Sequence, residues 1–164
     1  MRALSLAILC AATASAAWAS PDGVSLELSQ AGVELRADVL QQGDDLSASI
    51  AQVGSTSAVD VRQYGEDNRI ELSQMGADNL ATVTQSGSDS VAYVMQSGFA
   101  NSVELSQSGE DSVATLTQTG DLNALMVTQA GEDNSLVASQ IGVGLAATIT
   151  QLGGASLVIT QTRP

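Results

Sequence analysis

Gln74-Met75-Gly76-Ala77-Asp78-Asn79-Leu80-Ala81-Thr82-Val83-Thr84-Gln85 is the stretch on which the reading of this chain turns. Gly stands two residues after Gln, and eleven residues later the pair returns as Gln85 and Gly87. Outward in both directions the same pair recurs at every eleventh residue. The glutamines are Gln30, Gln41, Gln52, Gln63, Gln74, Gln85, Gln96, Gln107, Gln118, Gln129, Gln140 and Gln151. The glycines are Gly32, Gly43, Gly54, Gly65, Gly76, Gly87, Gly98, Gly109, Gly120, Gly131, Gly142 and Gly153. A self-similar period of this kind is the signature of a repeat architecture. The array frays at Gln161, which follows after ten residues and has Arg163 where Gly is due.

With Gln as position zero, positions seven and nine are aliphatic in unit after unit, as Ala81 and Val83 or Val103 and Leu105. Position five carries Asn68, Asn79, Asn101, Asn123 and Asn134, with Ser57, Ser90, Ser112 and Ser156 in other units and Leu35, Leu46 and Leu145 near the ends. Positions five, seven, nine and eleven are alternate residues, so they share one face of an extended strand. Between them lie Ser, Thr, Asp, Glu and Arg mixed with some apolar residues, the pattern of a solvated face. An eleven-residue period also suits a right-handed coiled coil. The alternation, the β-branched residues and a Gly in every unit oppose it.

Each unit is therefore a strand and a turn, with Gly freeing the backbone at the bend. Two units bury four aliphatic side chains, at roughly 1.5 to 3 kcal/mol each. Ordering their backbone costs roughly 1 to 2 kcal/mol per residue, which is more than that burial returns. Stacking of successive copies closes the deficit and sets Gln on Gln and Asn on Asn, so that buried amides satisfy one another. The expected fold is all-β: a β-solenoid of strand-turn-strand rungs, two strands to a rung and about six rungs at roughly 4.8 Å each.

Composition removes most other functions. The 164 residues carry 18 acids against five arginines, a formal charge of -13, with no histidine and 2% aromatics. Such a balance argues against nucleic acid as a partner. Without His there is no Ser-His-Asp triad and no His-built zinc site. Short uniform units offer no long loop to form a cleft. No catalytic, metal-ligating or cofactor-binding residue is assigned, no cofactor is expected, and the protein is read as not an enzyme.

Residues 1–19 read as a secretory signal peptide: Arg2, an Ala- and Leu-rich stretch, then Ala17-Trp18-Ala19 as the cleavage site before Ser20. Its removal takes Cys10 with it, so no disulfide supports the exported fold. Residues 20–29 form a short N-terminal segment and 30–164 the repeat array. The acids show a doubled period. Alternate turns share an edge of a two-strand rung, so Asp45, Asp67, Asp89, Asp111 and Asp133 line one edge together with Asp44, Glu66, Glu110 and Glu132. The opposite edge carries Glu34, Asp78 and Asp121. Solvated charge that keeps the monomer soluble explains the acidic edge. A calcium ladder is the other reading, although the Gly-Gly-x-Gly-x-Asp spacing of calcium-binding β-helices is absent.

The unit Gln-x-Gly-x-x-Asn-x-Ala-x-x-x-Gln resembles the curlin repeat, and the likeness runs from Gln30 to Gln161. Curlins are the subunits of curli, the functional amyloid fibres of bacterial surfaces and biofilm matrix. The resemblance implies export through the periplasm and a dedicated outer-membrane channel. It further implies polymerisation outside the cell with another curlin subunit, and a role in adhesion and biofilm. It sets the twelve glutamines and the five asparagines in the self-assembly ladder. The alternatives are the curli nucleator, a minor subunit anchoring fibres at the outer surface, and a soluble β-solenoid adhesin that does not polymerise.

Overall fold

A computed structural model of the chain describes residues 5–9, 12–18 and 23–163, the first two stretches by their backbone. Arg2, Cys10 and the expected cut between Ala19 and Ser20 lie outside the described residues. Among the described residues fifteen strands follow one another: β1 (Ser5–Leu9), β2 (Ala12–Trp18), β3 (Ser25–Val33), β4 (Leu35–Asp44), β5 (Ser47–Ser55), β6 (Ala58–Glu66), β7 (Arg69–Ala77), β8 (Leu80–Ser88), β9 (Val91–Phe99), β10 (Ser102–Glu110), β11 (Val113–Asp121), β12 (Ala124–Ala130), β13 (Ser135–Val143), β14 (Ala146–Leu152) and β15 (Ser156–Thr162). The odd strands make one parallel sheet and the even strands the other. This is the all-β solenoid that the eleven-residue period predicts, with about six turns of two repeat units each. The ladder also takes in residues 25–29, because β3 begins at Ser25.

Within the array, neighbouring strands are offset by two repeat units, so that Gln85 lies beside Gln63 and Gln107, and Gly87 beside Gly65 and Gly109. Identical positions are thereby stacked in columns. The inward columns are the aliphatics: Ile70, Leu72, Ala81, Val83, Leu105 and Leu116 are at most 1% exposed, and 23 buried residues form a single apolar cluster between the sheets. Fully burying side chains of this size is worth roughly 1.5 to 3 kcal/mol each, and every added rung repeats the gain. Leu35, Leu46 and Leu145 replace a polar residue at position five near the two ends and are buried there.

One departure from the period is absorbed locally. β15 pairs with β13 one residue short of two units, with Gln161 beside Gln140 and Ser156 beside Ser135. Counting by eleven puts Ser156 at position five, whereas this register puts Ala155 there. The missing residue has been taken from the turn, where Gly153 and Gly154 are both left-handed, at φ 65° and 57°. Strand pairing is thus preserved at the expense of the turn.

Candidate functional site

The twelve glutamines form two columns, one per sheet, and none is more than 3% exposed. In the odd sheet Gln30 Nε2 donates to Gln52 Oε1 (2.5 Å), and the relay runs on through Gln74, Gln96, Gln118 and Gln140 to Gln161. In the even sheet it runs from Gln41 through Gln63, Gln85, Gln107 and Gln129 to Gln151, at 2.7–2.9 Å. Every donor faces the C-terminal end of the array. The same amides also tie one sheet to the other: Gln63 Nε2 donates to Ser47 O (3.1 Å) across the core and to Asn68 O (3.0 Å) at the turn. An amide removed from water without such partners costs roughly 1 to 3 kcal/mol, so this column is stable only when continuous.

The asparagines divide by edge. On the edge joining odd strands to even, Asn79, Asn101 and Asn123 form a true ladder. Asn101 Nδ2 and Asn123 Nδ2 donate to the Oδ1 of the preceding Asn at 3.1 Å each, and so does each backbone N–H. This relay points toward the N-terminal end, opposite to the glutamines. On the other edge Asn68 and Asn134 do not meet, because Ser90 and Ser112 stand between them. Expected Asn-on-Asn stacking is therefore realised on one edge only. In both places Asn also secures the turn above it, as Asn68 Nδ2 does to Gly87 O (2.9 Å) and Asn101 Nδ2 to Gly120 O (2.7 Å).

Those carbonyls belong to the repeat glycines, which end the strands with φ between 65° and 152°. A Cβ on Gly87 (φ 117°) would overlap the carbonyl oxygen of Gly109 in the next rung, so close stacking itself demands glycine. Two residues further on comes a second left-handed residue, at the position whose acids the sequence assigns to the two turn edges. Position four lies at φ 51–58° in ten successive units, from Glu34 to Asp133. Its trace in the sequence is the recurrence of Asp, one of the residues enriched in that region.

The family model for the curlin-associated repeat matches three consecutive stretches, residues 32–65, 65–98 and 98–131. The chain belongs to the curlin family. No curated protein and no solved structure matches it. Membership makes it a curli-type structural subunit in general, from a family built for structure and not for catalysis.

In this curlin-family solenoid, Asp45, Asp67, Asp89, Asp111 and Asp133 all occupy position four on the even-to-odd edge. The turns stack directly: Asp67 N–H donates to Asp44 O (3.1 Å) and Asp89 N–H to Glu66 O (3.2 Å). Carboxylates therefore recur along that edge at about 4.8 Å, one strand spacing. Three arginines pair with acids two residues away on outward strand faces: Arg36 with Asp38, Arg62 with Asp60 (2.7 Å) and Arg69 with Glu71 (3.5 Å). Among the described residues no group of acids is arranged to hold a metal ion. Two buried oxygens have no partner among the described residues, Gln30 Oε1 and Asn134 Oδ1. The second lies under the shortened turn: Asn68 Oδ1 accepts from the backbone N–H of Ser90 two units on, and Asn134, whose Nδ2 donates to Gly131 O of its own turn (3.2 Å), has no equivalent donor. The first belongs to the end of an amide column.

Proposed function

We propose that this curlin-family chain is exported, loses residues 1–19 and self-assembles outside the cell into cross-β amyloid fibres that serve adhesion and the biofilm matrix. A curli-type outer-membrane channel and another curlin subunit are its partners on that route. The twelve glutamines, with Asn68, Asn79, Asn101, Asn123 and Asn134, are the self-assembly ladder. The observation that carries this reading is the open ladder. Gln30 Oε1, in one buried amide column, has no partner and Gln151 Nε2, in the other, has no glutamine to donate to among the described residues, and no helix or loop among them lies across the terminal strands of the sheets.

Seeded growth tests it. The mature chain from Ser20 should form dye-binding, detergent-resistant fibres, and sonicated fibres should abolish the lag. Protein that stays monomeric for weeks at high concentration, even when seeded, would contradict the reading and favour a soluble adhesin.

A further inference from the structure

The outer faces of the two sheets differ. Strands pair in register, so outward residues also stack in columns, with Val91 beside Val113 and Val137 beside Val158. Between its turns each strand offers four outward residues, and on β9, β11, β13 and β15 none of them is charged. The charges of the odd face, Glu27, Arg69 and Glu71, lie on β3 and β7. Val53, Met75, Met95, Val137, Ile141 and Val158 on this face are at least 43% exposed. On the even face only Leu80, Met126 and Leu152 are as exposed among the described residues. That face also carries Glu104 and the Arg36–Asp38 and Arg62–Asp60 pairs, which cost hydration when covered.

We infer that two filaments pair through their odd faces, about a two-fold axis parallel to the fibre. This rests on the self-assembly proposed above. The occupant is a second copy because the face is complementary to itself. A two-fold turn reverses the order of the four outward residues, so the first of one copy meets the fourth of the other, and the second meets the third. At equal height Ser47 meets Val53, Val91 meets Ser97 and Ser135 meets Ile141, large against small each time. Tyr93 meets Met95, and sulfur on an aromatic ring is a favourable contact. Glu71 meets Ser73 and Glu27 meets Ser29, so no carboxylate faces another. Such self-complementarity is what an isologous contact requires. Sheets paired in this way lie about 10 Å apart, with side chains interdigitated.

Two consequences follow from size and charge. The uncharged part of the face, four strands high, covers roughly 400 Å² per copy, about half of the roughly 800 Å² per partner in a stable complex. Free chains therefore stay single, and filaments pair because each copy in the row adds another such contact. The two-fold also carries the acidic edges to opposite flanks of the pair. They are then about one strand length apart, roughly 30 Å against a Debye length of about 8 Å.

Mass per length of unstained fibres, read by scanning transmission electron microscopy, tests the pairing. A 22-residue rung weighs about 2.2 kDa and rises about 4.8 Å, so one filament has about 0.46 kDa per Å and a pair twice that. Fibres of the mature chain should show the doubled value. Val137→Asp, which sets a charge in the seam, should halve it without slowing seeded elongation, and Met126→Asp on the even face should leave it doubled. Tyr93→Thr combined with Met95→Thr keeps strand-forming residues, and it should halve the value too, so it decides the matter if Val137→Asp forms no fibres. Unsubstituted fibres at the single-filament value would overturn the pairing and leave assembly intact. So would halving by Met126→Asp to the same extent as by Val137→Asp. Single filaments that bind phosphatidylcholine vesicles, and lose that binding with Val137→Asp, would give the face to a lipid surface and likewise overturn the pairing. If the unsubstituted chain forms no fibres, the pairing and the assembly reading fall together.

Discussion

The two turn edges of the solenoid have the same backbone and different chemistry. Both place glycine at position two and a left-handed residue at position four, with φ of 51–58° for the non-glycine residues. One edge fills position four with Asp45, Asp67, Asp89, Asp111 and Asp133. The other fills it with Glu34, Thr56, Asp78, Ala100, Leu122 and Gly144. If left-handed backbone alone selected Asp, both edges would show it. Leu122 tolerates the same conformation, at the roughly 1 to 2 kcal/mol that a side chain pays there. The uninterrupted Asp run therefore reflects charge on that edge. The opposite edge has what the acidic one lacks: a continuous Asn79–Asn101–Asn123 relay. One edge carries a continuous amide relay, and the other carries the run of carboxylates.

The largest effect expected from this contrast is at the centre of the Asn relay. Asn101→Ala leaves the Asn123 backbone N–H without its acceptor and removes bonds to Asn79 Oδ1 and Gly120 O. At roughly 1 to 3 kcal/mol per abandoned buried group, it should cost about 3 to 5 kcal/mol in denaturant unfolding of the monomer. Ser112→Ala, at the matching position of the acidic edge, loses only contacts of 3.5 Å and should cost less than about 1 kcal/mol. Equal costs would mean that the amide relay contributes nothing beyond the shared backbone.

A smaller, kinetic effect is expected from the carboxylates. Like charges at one strand spacing oppose the docking of further rungs, and salt screens them. Replacing Asp45, Asp67, Asp89, Asp111 and Asp133 together by Asn should shorten the lag of fibre formation several-fold at low salt, and less at high salt. Asn also tolerates the left-handed backbone of these positions, so the fold is kept. Asp78→Asn on the opposite edge should leave the lag unchanged within error. A response of equal size from Asp78→Asn would show that the edges do not differ electrostatically.

Much of this architecture is legible in the sequence because a solenoid writes each structural position once per period. Gln85, Val83 and Ala81 disclose their shared face through alternation, and Gly87 marks the end of the strand. Less legible is whatever depends on which unit lies above which. The Asn residues look equivalent along the chain, yet only those two units apart can meet. The Ser90 and Ser112 interruptions therefore break one relay and leave the other whole. The direction in which an amide column donates has no counterpart in sequence, since Gln offers donor and acceptor alike and the choice is made by its backbone partners, such as Ser47 O for Gln63. The shortened last turn is visible as a ten-residue step. Pairing of Gln140 with Gln161 is needed to show that the deletion falls between Gly153 and Ser156 and spares the strand.

X-ray diffraction from aligned fibres of the mature chain is the most direct test that the ladder within one molecule continues into the next. Continuity predicts a sharp meridional reflection at about 4.8 Å and an equatorial one at about 10 Å, the strand and sheet spacings of a stacked solenoid. Fibres lacking that meridional reflection, or a chain that yields no fibres to align, would contradict it.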